Sequence, residues 1–149
     1  MPAKTLTALA ATMLAVAALA APPTDPALSK AAAAPGAVVT PSGLVYRSLK
    51  DGNGISPTAT DTVRVNYRGT FPDGREFDSS YARHEPAEFP LNRVIPCWTE
   101  GLQRMKVGGK ALLGCTAAIA YGARGAGGVI PPNATLLFEV ELLGVRGAK

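Results

Sequence analysis

The chain has 149 residues, a formal net charge of +4 and 47% hydrophobic residues, which suits one globular domain. The charge is mild and no basic run is interleaved with aromatic residues, so the composition does not indicate nucleic acid binding. With His84 as the only histidine and two cysteines, the chain lacks zinc-ligand spacing and a serine–histidine–acid pattern.

Residues 1–20 are typical of a secretory signal peptide. Lys4 supplies the positive charge, Leu6–Leu19 is apolar, and Ala18-Leu19-Ala20 fits the small-x-small cleavage rule. We therefore expect cleavage after Ala20. The apolar run is too short and too rich in alanine for a membrane span, so we expect no membrane anchor.

Residues 21–40 are rich in proline and alanine, with Pro22, Pro23 and the block Ala31–Ala34. Such a composition has little to bury and predicts a flexible tether. The folded domain is expected to begin near Thr40 and to occupy residues 41–149.

The domain contains several stretches that alternate apolar and polar residues or are rich in β-formers, which predicts strands. These stretches are Leu44–Leu49, Thr62–Thr70, Arg75–Phe77, Glu88–Leu91, Lys110–Thr116 and Thr135–Leu143. Pro72-Asp73-Gly74 is turn chemistry between the second and third stretches, so those two should form a hairpin.

One helix is predicted after Pro96. Trp98, Leu102 and Met105 have the i, i+4, i+7 spacing of a single helical stripe, and Gly108-Gly109 ends it. A short helix must cover one face of the sheet to bury its apolar side. The fold class is therefore α+β, dominated by antiparallel strands.

Aromatic and branched residues near turns are the candidates for a binding site. Each alone is more typical of a core, but together they come from separate segments that a small fold can bring to one apolar pocket. They are Tyr67, Phe77, Val94, Ile95, Trp98, Tyr121, Ile130 and Phe138. Asp78, directly after Phe77, is either a solvated turn residue or a polar anchor inside that pocket.

Three stretches carry a resemblance to a known family. VNYRGTFPDGREFDSS (65–80), VIPCWTEGLQRMKVGG (94–109) and AYGARGAGGVIPPNATLLFEVELL (120–143) resemble FKBP-type peptidyl-prolyl cis-trans isomerases, over about residues 41 to 146. The resemblance implies a five- or six-stranded antiparallel sheet wrapped around one short α-helix, with the pocket between them. It also implies a bacterial, exported isomerase (rotamase), acting in the periplasm or the medium. Some family members carry a dimerisation or chaperone domain, but the tether at residues 21–40 is too short and too rich in alanine and proline for one, which favours a monomeric, single-domain isomerase.

The resemblance also implies a role for each site residue. Catalytic roles fall to Asp78, which faces the twisting amide, to Tyr121, whose hydroxyl bonds a substrate carbonyl, and to Phe77. Substrate binding falls to Tyr67, Arg83, Val94, Ile95, Trp98, Ile130 and Phe138. In the family, the tryptophan forms the floor, the arginine pairs with the aspartate, and the isoleucine that matches Ile130 lies in a loop overhanging the pocket.

The chemistry needs no cofactor or metal. Rotating an X-Pro amide meets a barrier of about 18–20 kcal/mol because resonance is lost, yet no bond breaks. An apolar pocket favours the twisted amide, whose charge separation is smaller, and positioned hydrogen bonds hold that geometry. The expected partners are unfolded or proline-containing polypeptides, and macrolide inhibitors are the expected ligands.

The chain departs from the family pattern at three positions. Ala87 stands where an aromatic residue is common, which predicts a thinner wall, and Ala126 replaces a histidine of the overhanging loop. Cys97 replaces a common glycine before the helix, and Cys115 lies on the following strand. In a secreted chain two cysteines are first interpreted as a disulfide. We predict that they are bonded, with two buried thiols as the alternative.

Two other classes of function compete with the isomerase. One is a binding module or chaperone that holds unfolded chains without much turnover, and the other is a purely structural protein. A structural protein would not need the combination of Asp78, Trp98 and Tyr121. Replacing Asp78 with leucine separates the first two, because it should reduce turnover more than peptide binding if catalysis is the role.

Overall fold

The computed structural model describes residues 25–147, so the predicted signal peptide, residues 1–20, lies outside the described residues. Within this range the chain forms two α-helices and seven strands. In chain order they are α1 (Pro26–Ala32), β1 (Val38–Val39), β2 (Val45–Lys50), β3 (Thr62–Thr70), β4 (Glu76–Ser79), β5 (Ala87–Pro90), α2 (Pro96–Gln103), β6 (Lys110–Cys115) and β7 (Leu136–Arg146). The predicted α+β class is confirmed.

The seven strands form one antiparallel sheet in the order β1-β2-β6-β7-β3-β4, and β5 also pairs with β3. Strand β3 is the organising strand. It pairs with β7 along its whole length, with β5 over Thr62–Val65 and with β4 over Arg68–Thr70. Residues 25–147 contain one strand more than the five or six expected, because Val38 and Val39 of β1 pair with β2.

Helix α2 packs on one face of this sheet and forms the core with it. From β7 the core takes one alternating set, Leu136, Phe138, Val140 and Leu142, all 0–3% exposed, as the sequence pattern predicted. Gly101 of α2 sits against Leu113 of β6, and a Cβ on that glycine would come within 2.7 Å of the leucine side chain. The absence of a side chain there lets the helix approach the sheet closely.

Cys97 and Cys115 form a disulfide, which confirms the predicted pairing. Both residues are fully buried, and the bond joins the first turn of α2 to the last residue of β6. Closing a loop of this size stabilises the fold by about 3 kcal/mol in the chain-entropy model. The bond therefore fixes the start of α2, where Trp98 follows directly.

The prediction of a flexible tether is wrong for the described part of residues 21–40. Asp25 caps α1 by accepting a hydrogen bond from the Ala27 N–H at 2.8 Å, and Pro26 suits the first helical position. Leu28 is 1% exposed and fills the space above Gly114, where a Cβ would lie 2.7 Å from it. Since Gly114 alternates with Leu113 and Cys115 on β6, α1 lies on the face of the sheet opposite α2.

No helix within residues 25–147 is long and apolar enough to cross a membrane.

Candidate active site

A cleft of about 380 Å³ opens between α2 and the sheet. It is lined by Tyr67, Phe77, Asp78, Phe89, Arg93, Val94, Ile95, Trp98, Tyr121 and Phe138. The sequence prediction named all of these except Phe89 and Arg93. The structure thus brings together side chains from β3, β4, β5, α2, β7 and the loops before α2 and β7.

Trp98 lies at the base of the cleft and is 4% exposed. Three rings meet it edge to face, with centroids at 5.2 Å (Tyr67), 5.4 Å (Phe138) and 5.5 Å (Phe89), a geometry that aromatic pairs prefer. Its indole N–H is buried and has no hydrogen-bond partner among residues 25–147, and buried donors without a partner are uncommon in native structures. The base of the cleft is rigid, apolar and aromatic.

Phe77 forms one wall because β3 offers a glycine beneath it. A Cβ on Gly69 would lie 2.5 Å from the Phe77 ring and 3.0 Å from that of Phe138. The two rings therefore meet over the glycine, edge to face, at 5.6 Å. A larger residue at position 69 would push this wall out of place.

Asp78 is held by two partners at the rim. One carboxylate oxygen accepts a hydrogen bond from the Tyr67 hydroxyl, and the other pairs with the Arg83 guanidinium. Arg83 also donates to the Tyr67 hydroxyl oxygen at 3.0 Å. The aspartate is therefore a polar anchor beside the cleft, and Arg83 pairs with it as the resemblance implied.

These contacts determine the ionisation states of Asp78 and Tyr67. Desolvation raises the pKa of Asp78, but the hydrogen bonds from Tyr67 and Arg83 outweigh it and hold that pKa below its ordinary value. Burial, and then the hydrogen bond to Asp78, raise the pKa of Tyr67. At neutral pH the cleft therefore presents a fixed carboxylate next to a protonated phenol.

Two further hydrogen-bond donors are placed at the cleft. The Tyr121 hydroxyl has no hydrogen-bond partner in the described part of the chain, and burial and the Asp78 charge raise its pKa, so it stays protonated. Helix α2 begins with Ile95 as its N-cap and Pro96 in its first turn, with no side-chain cap. The Trp98 and Thr99 N–H groups donate to the Ile95 carbonyl, but the Ile95 N–H has no hydrogen-bond partner among residues 25–147, so it can donate to a peptide carbonyl.

Phe89 is the main residue that the sequence interpretation missed. The thin wall expected at Ala87 is filled by this ring, which packs against Trp98 and Tyr67. The signal was present, because residues 87 and 89 of one strand share a face. Arg93, from the 3₁₀ turn Leu91–Arg93, is the other addition.

Ile130 does not line the cleft, contrary to the expectation of an overhanging residue. It is 6% exposed and belongs to the core. It bends inward because the Ala126 and Ile130 main chains exchange two hydrogen bonds of 2.9 Å. Its exposed neighbour is Val129, at 57%.

An antiparallel sheet folded around one helix, with an aromatic cleft between them, is the architecture of the FKBP class. Comparison with known proteins agrees, because the family model for FKBP-type peptidyl-prolyl cis-trans isomerases matches residues 53–143. The chain belongs to this family.

Curated relatives include FkpA of Escherichia coli K12, 52% identical over 113 residues, which is 76% of this chain and 42% of that protein. The FKBP-type 22 kDa isomerase of the same organism is 57% identical over 104 residues, 70% of this chain and 50% of that one. The crystal structure of E. coli FkpA has a TM-score of 0.78 at 50% identity and covers 80% of this chain and 56% of that chain. The chain thus spans about half the length, or less, of these relatives.

Proposed function

We propose that the protein is a peptidyl-prolyl cis-trans isomerase that accelerates X-Pro rotation in folding polypeptides. The observation that carries this proposal is the cleft itself, in which an aromatic base adjoins a carboxylate held ionised by two partners. A flat, apolar proline ring can pack against the Trp98 indole, which three neighbouring rings hold in place by edge-to-face contacts. The family membership supports the same activity.

In this proposal the substrate proline sits on Trp98 and the preceding peptide bond lies beside Asp78. The apolar walls favour the twisted amide, since it separates less charge than the planar one. The Tyr121 hydroxyl and the Ile95 N–H hold the flanking carbonyls, and this geometry fits the twisted state better than the planar state. No covalent step occurs.

We also propose that the protein acts outside the cytoplasm, in the periplasm or the medium. The predicted signal peptide and the Cys97–Cys115 bond support this, because disulfides persist in oxidising compartments. Its clients are then exported proteins, and we expect a monomer. Fractionation of the source cells would test the location, and recovery of the uncleaved protein in the cytoplasm would contradict it.

The activity is tested by the refolding of a model protein whose slow phase is limited by proline isomerisation. We expect catalytic amounts of the protein to accelerate that phase, and a macrolide inhibitor to abolish the acceleration. Asp78→Leu should reduce turnover by at least tenfold while peptide binding is largely kept. Glu76→Gln is the matched control, because it removes a carboxylate of the same strand that is paired with Arg68 outside the cleft.

No acceleration by the wild type, with binding of unfolded chains retained, would contradict the enzyme and favour a holding chaperone. Equal loss of turnover in Asp78→Leu and Glu76→Gln would contradict the role of the cleft carboxylate.

A further inference from the structure

A second groove of about 400 Å³ lies between the β3–β4 hairpin and the loop before β7. Its walls include Phe71, Arg75, Arg124, Val129, Ile130 and Pro131. None of these residues lines the cleft. Of its ten lining residues, two are arginines and the other eight are apolar residues or glycines, so the groove suits a peptide rather than a small ion.

The groove adjoins the cleft at an aromatic contact. The ring of Phe71 lies 5.0 Å from that of Phe77, and Phe77 is a wall of the cleft. An extended chain advances by about 3.3–3.6 Å per residue. A polypeptide with its proline in the cleft therefore reaches the groove within about two to four residues.

The loop wall of the groove is preformed. The reciprocal hydrogen bonds between Ala126 and Ile130 close the loop tip. Gly125 has a φ of +69°, and a Cβ there would come within 2.3 Å of the Ile130 carbonyl oxygen, so only glycine fits this close approach. A fixed wall lowers the entropic cost of binding a flexible chain.

The charge of the groove is positive. The Arg75 guanidinium lies 4.9 Å from the Phe71 ring centroid and pairs with Asp73 through its Nε at 2.8 Å. Arg124 is exposed and has no ion pair or hydrogen bond from its side chain among residues 25–147. Among the charged groups of the groove, the Arg124 guanidinium therefore has no opposite charge beside it. It can pair with an acidic side chain of a bound peptide.

We propose that this groove is a second substrate subsite, which binds the client polypeptide about two to four residues from its proline and selects acidic side chains there. The proposal rests on the proposed isomerase function and adds a substrate preference to it. Phe71 and Val129 provide the apolar surface, and Arg124 provides the selection.

The test uses peptides with one proline and one Glu, Gln or Lys placed two, three or four residues before or after it. The kcat/KM of each peptide is measured at low salt. The Glu-to-Gln ratio within one protein sample does not depend on the fraction of active protein. At the position that reaches the groove, we expect a ratio of about two- to fivefold for the wild type, the scale of an exposed ion pair.

Arg124→Gln should bring this ratio to about one, and Arg124→Glu should shift the preference to the lysine peptide. Arg64→Gln is the matched control, since Arg64 is exposed near the other end of β3, and it should keep the wild-type ratio. Equal turnover of the Glu, Gln and Lys peptides at every position would overturn the subsite.

Failure of the proposed isomerase function can be distinguished from failure of the subsite, because no peptide would then be turned over, whatever its charge. In that case the affinities of the same peptides, measured by fluorescence anisotropy, decide on the groove. A Glu preference that depends on Arg124 would support it, and equal affinities would overturn it.

Discussion

The cleft and the neighbouring groove are built in different ways. The cleft is walled largely by strands and α2, and its rings contact one another at 5.2–5.6 Å around Trp98 and Phe138. The groove takes one wall from the loop before β7, where Val129 is 57% exposed. Because the cleft shares its residues with the core, changes there should alter stability and activity together. Changes at the exposed groove residues Arg124 and Val129 should alter substrate preference alone.

The largest effect is expected for Trp98→Ala. The side chain is 4% exposed and touches three rings, so its loss should reduce the free energy of unfolding by about 3–5 kcal/mol. Val129→Ala, in the groove, should change it by no more than about 0.5 kcal/mol. Urea unfolding of the two variants measures the contrast, and similar values for both would contradict this division of the molecule.

The next effect is expected from the disulfide that anchors α2 beneath the cleft. Replacing both Cys97 and Cys115 with alanine should reduce the free energy of unfolding by about 2–4 kcal/mol. Since both cysteines are fully buried, a mild reductant should leave the bond intact until urea is added. Thiol alkylation with and without urea checks this. Rapid alkylation of Cys97 and Cys115 in the native protein would contradict the burial of the disulfide at the start of α2.

A smaller effect is expected from pH. The pKa of Asp78 lies below its ordinary value because the Tyr67 and Arg83 hydrogen bonds outweigh desolvation, so folding stabilises its charged form. That stabilisation is fully present above the unfolded pKa of about 3.9, and it is lost as pH falls through the lower folded pKa. Peptide turnover should therefore stay constant from pH 8 down to about pH 5.

The Asp78→Asn variant provides the comparison for this pH profile. Because asparagine has no carboxyl group, the variant should lack the fall in turnover that protonation of Asp78 causes at low pH. A wild-type inflection between pH 5 and 7, absent in the variant, would mean that the carboxylate is not held by its two partners.

The parts of the molecule that the sequence predicted share a cause. β3 and β7 alternate apolar and polar residues, and Trp98, Leu102 and Met105 follow one helical stripe, so burial of one face settles their structure. The cleft residues, apart from Phe89 and Arg93, could be named from the sequence through the family resemblance. The Cys97–Cys115 pairing was predicted because two cysteines in a secreted chain are first interpreted as a disulfide.

The errors arose where one tertiary contact decides the structure. α1 depends on Leu28 meeting the gap above Gly114, and neither residue signals the other in a segment rich in alanine and proline. Ile130 turns into the core because the loop closes on Ala126 through main-chain hydrogen bonds, which side-chain patterns do not encode. Phe89 was not predicted because it lies two residues after Ala87, the position where the family often has an aromatic residue.

The most direct test of the central claim is NMR exchange between the cis and trans forms of a short prolyl peptide at catalytic amounts of the protein. Unaided exchange takes tens to hundreds of seconds, so it gives no exchange peaks on the sub-second timescale of the experiment. We predict exchange peaks with the wild type, their loss with a macrolide inhibitor, and strong weakening with Asp78→Leu. Binding shifts at the cleft without any exchange peaks would contradict the account and leave a peptide-binding protein.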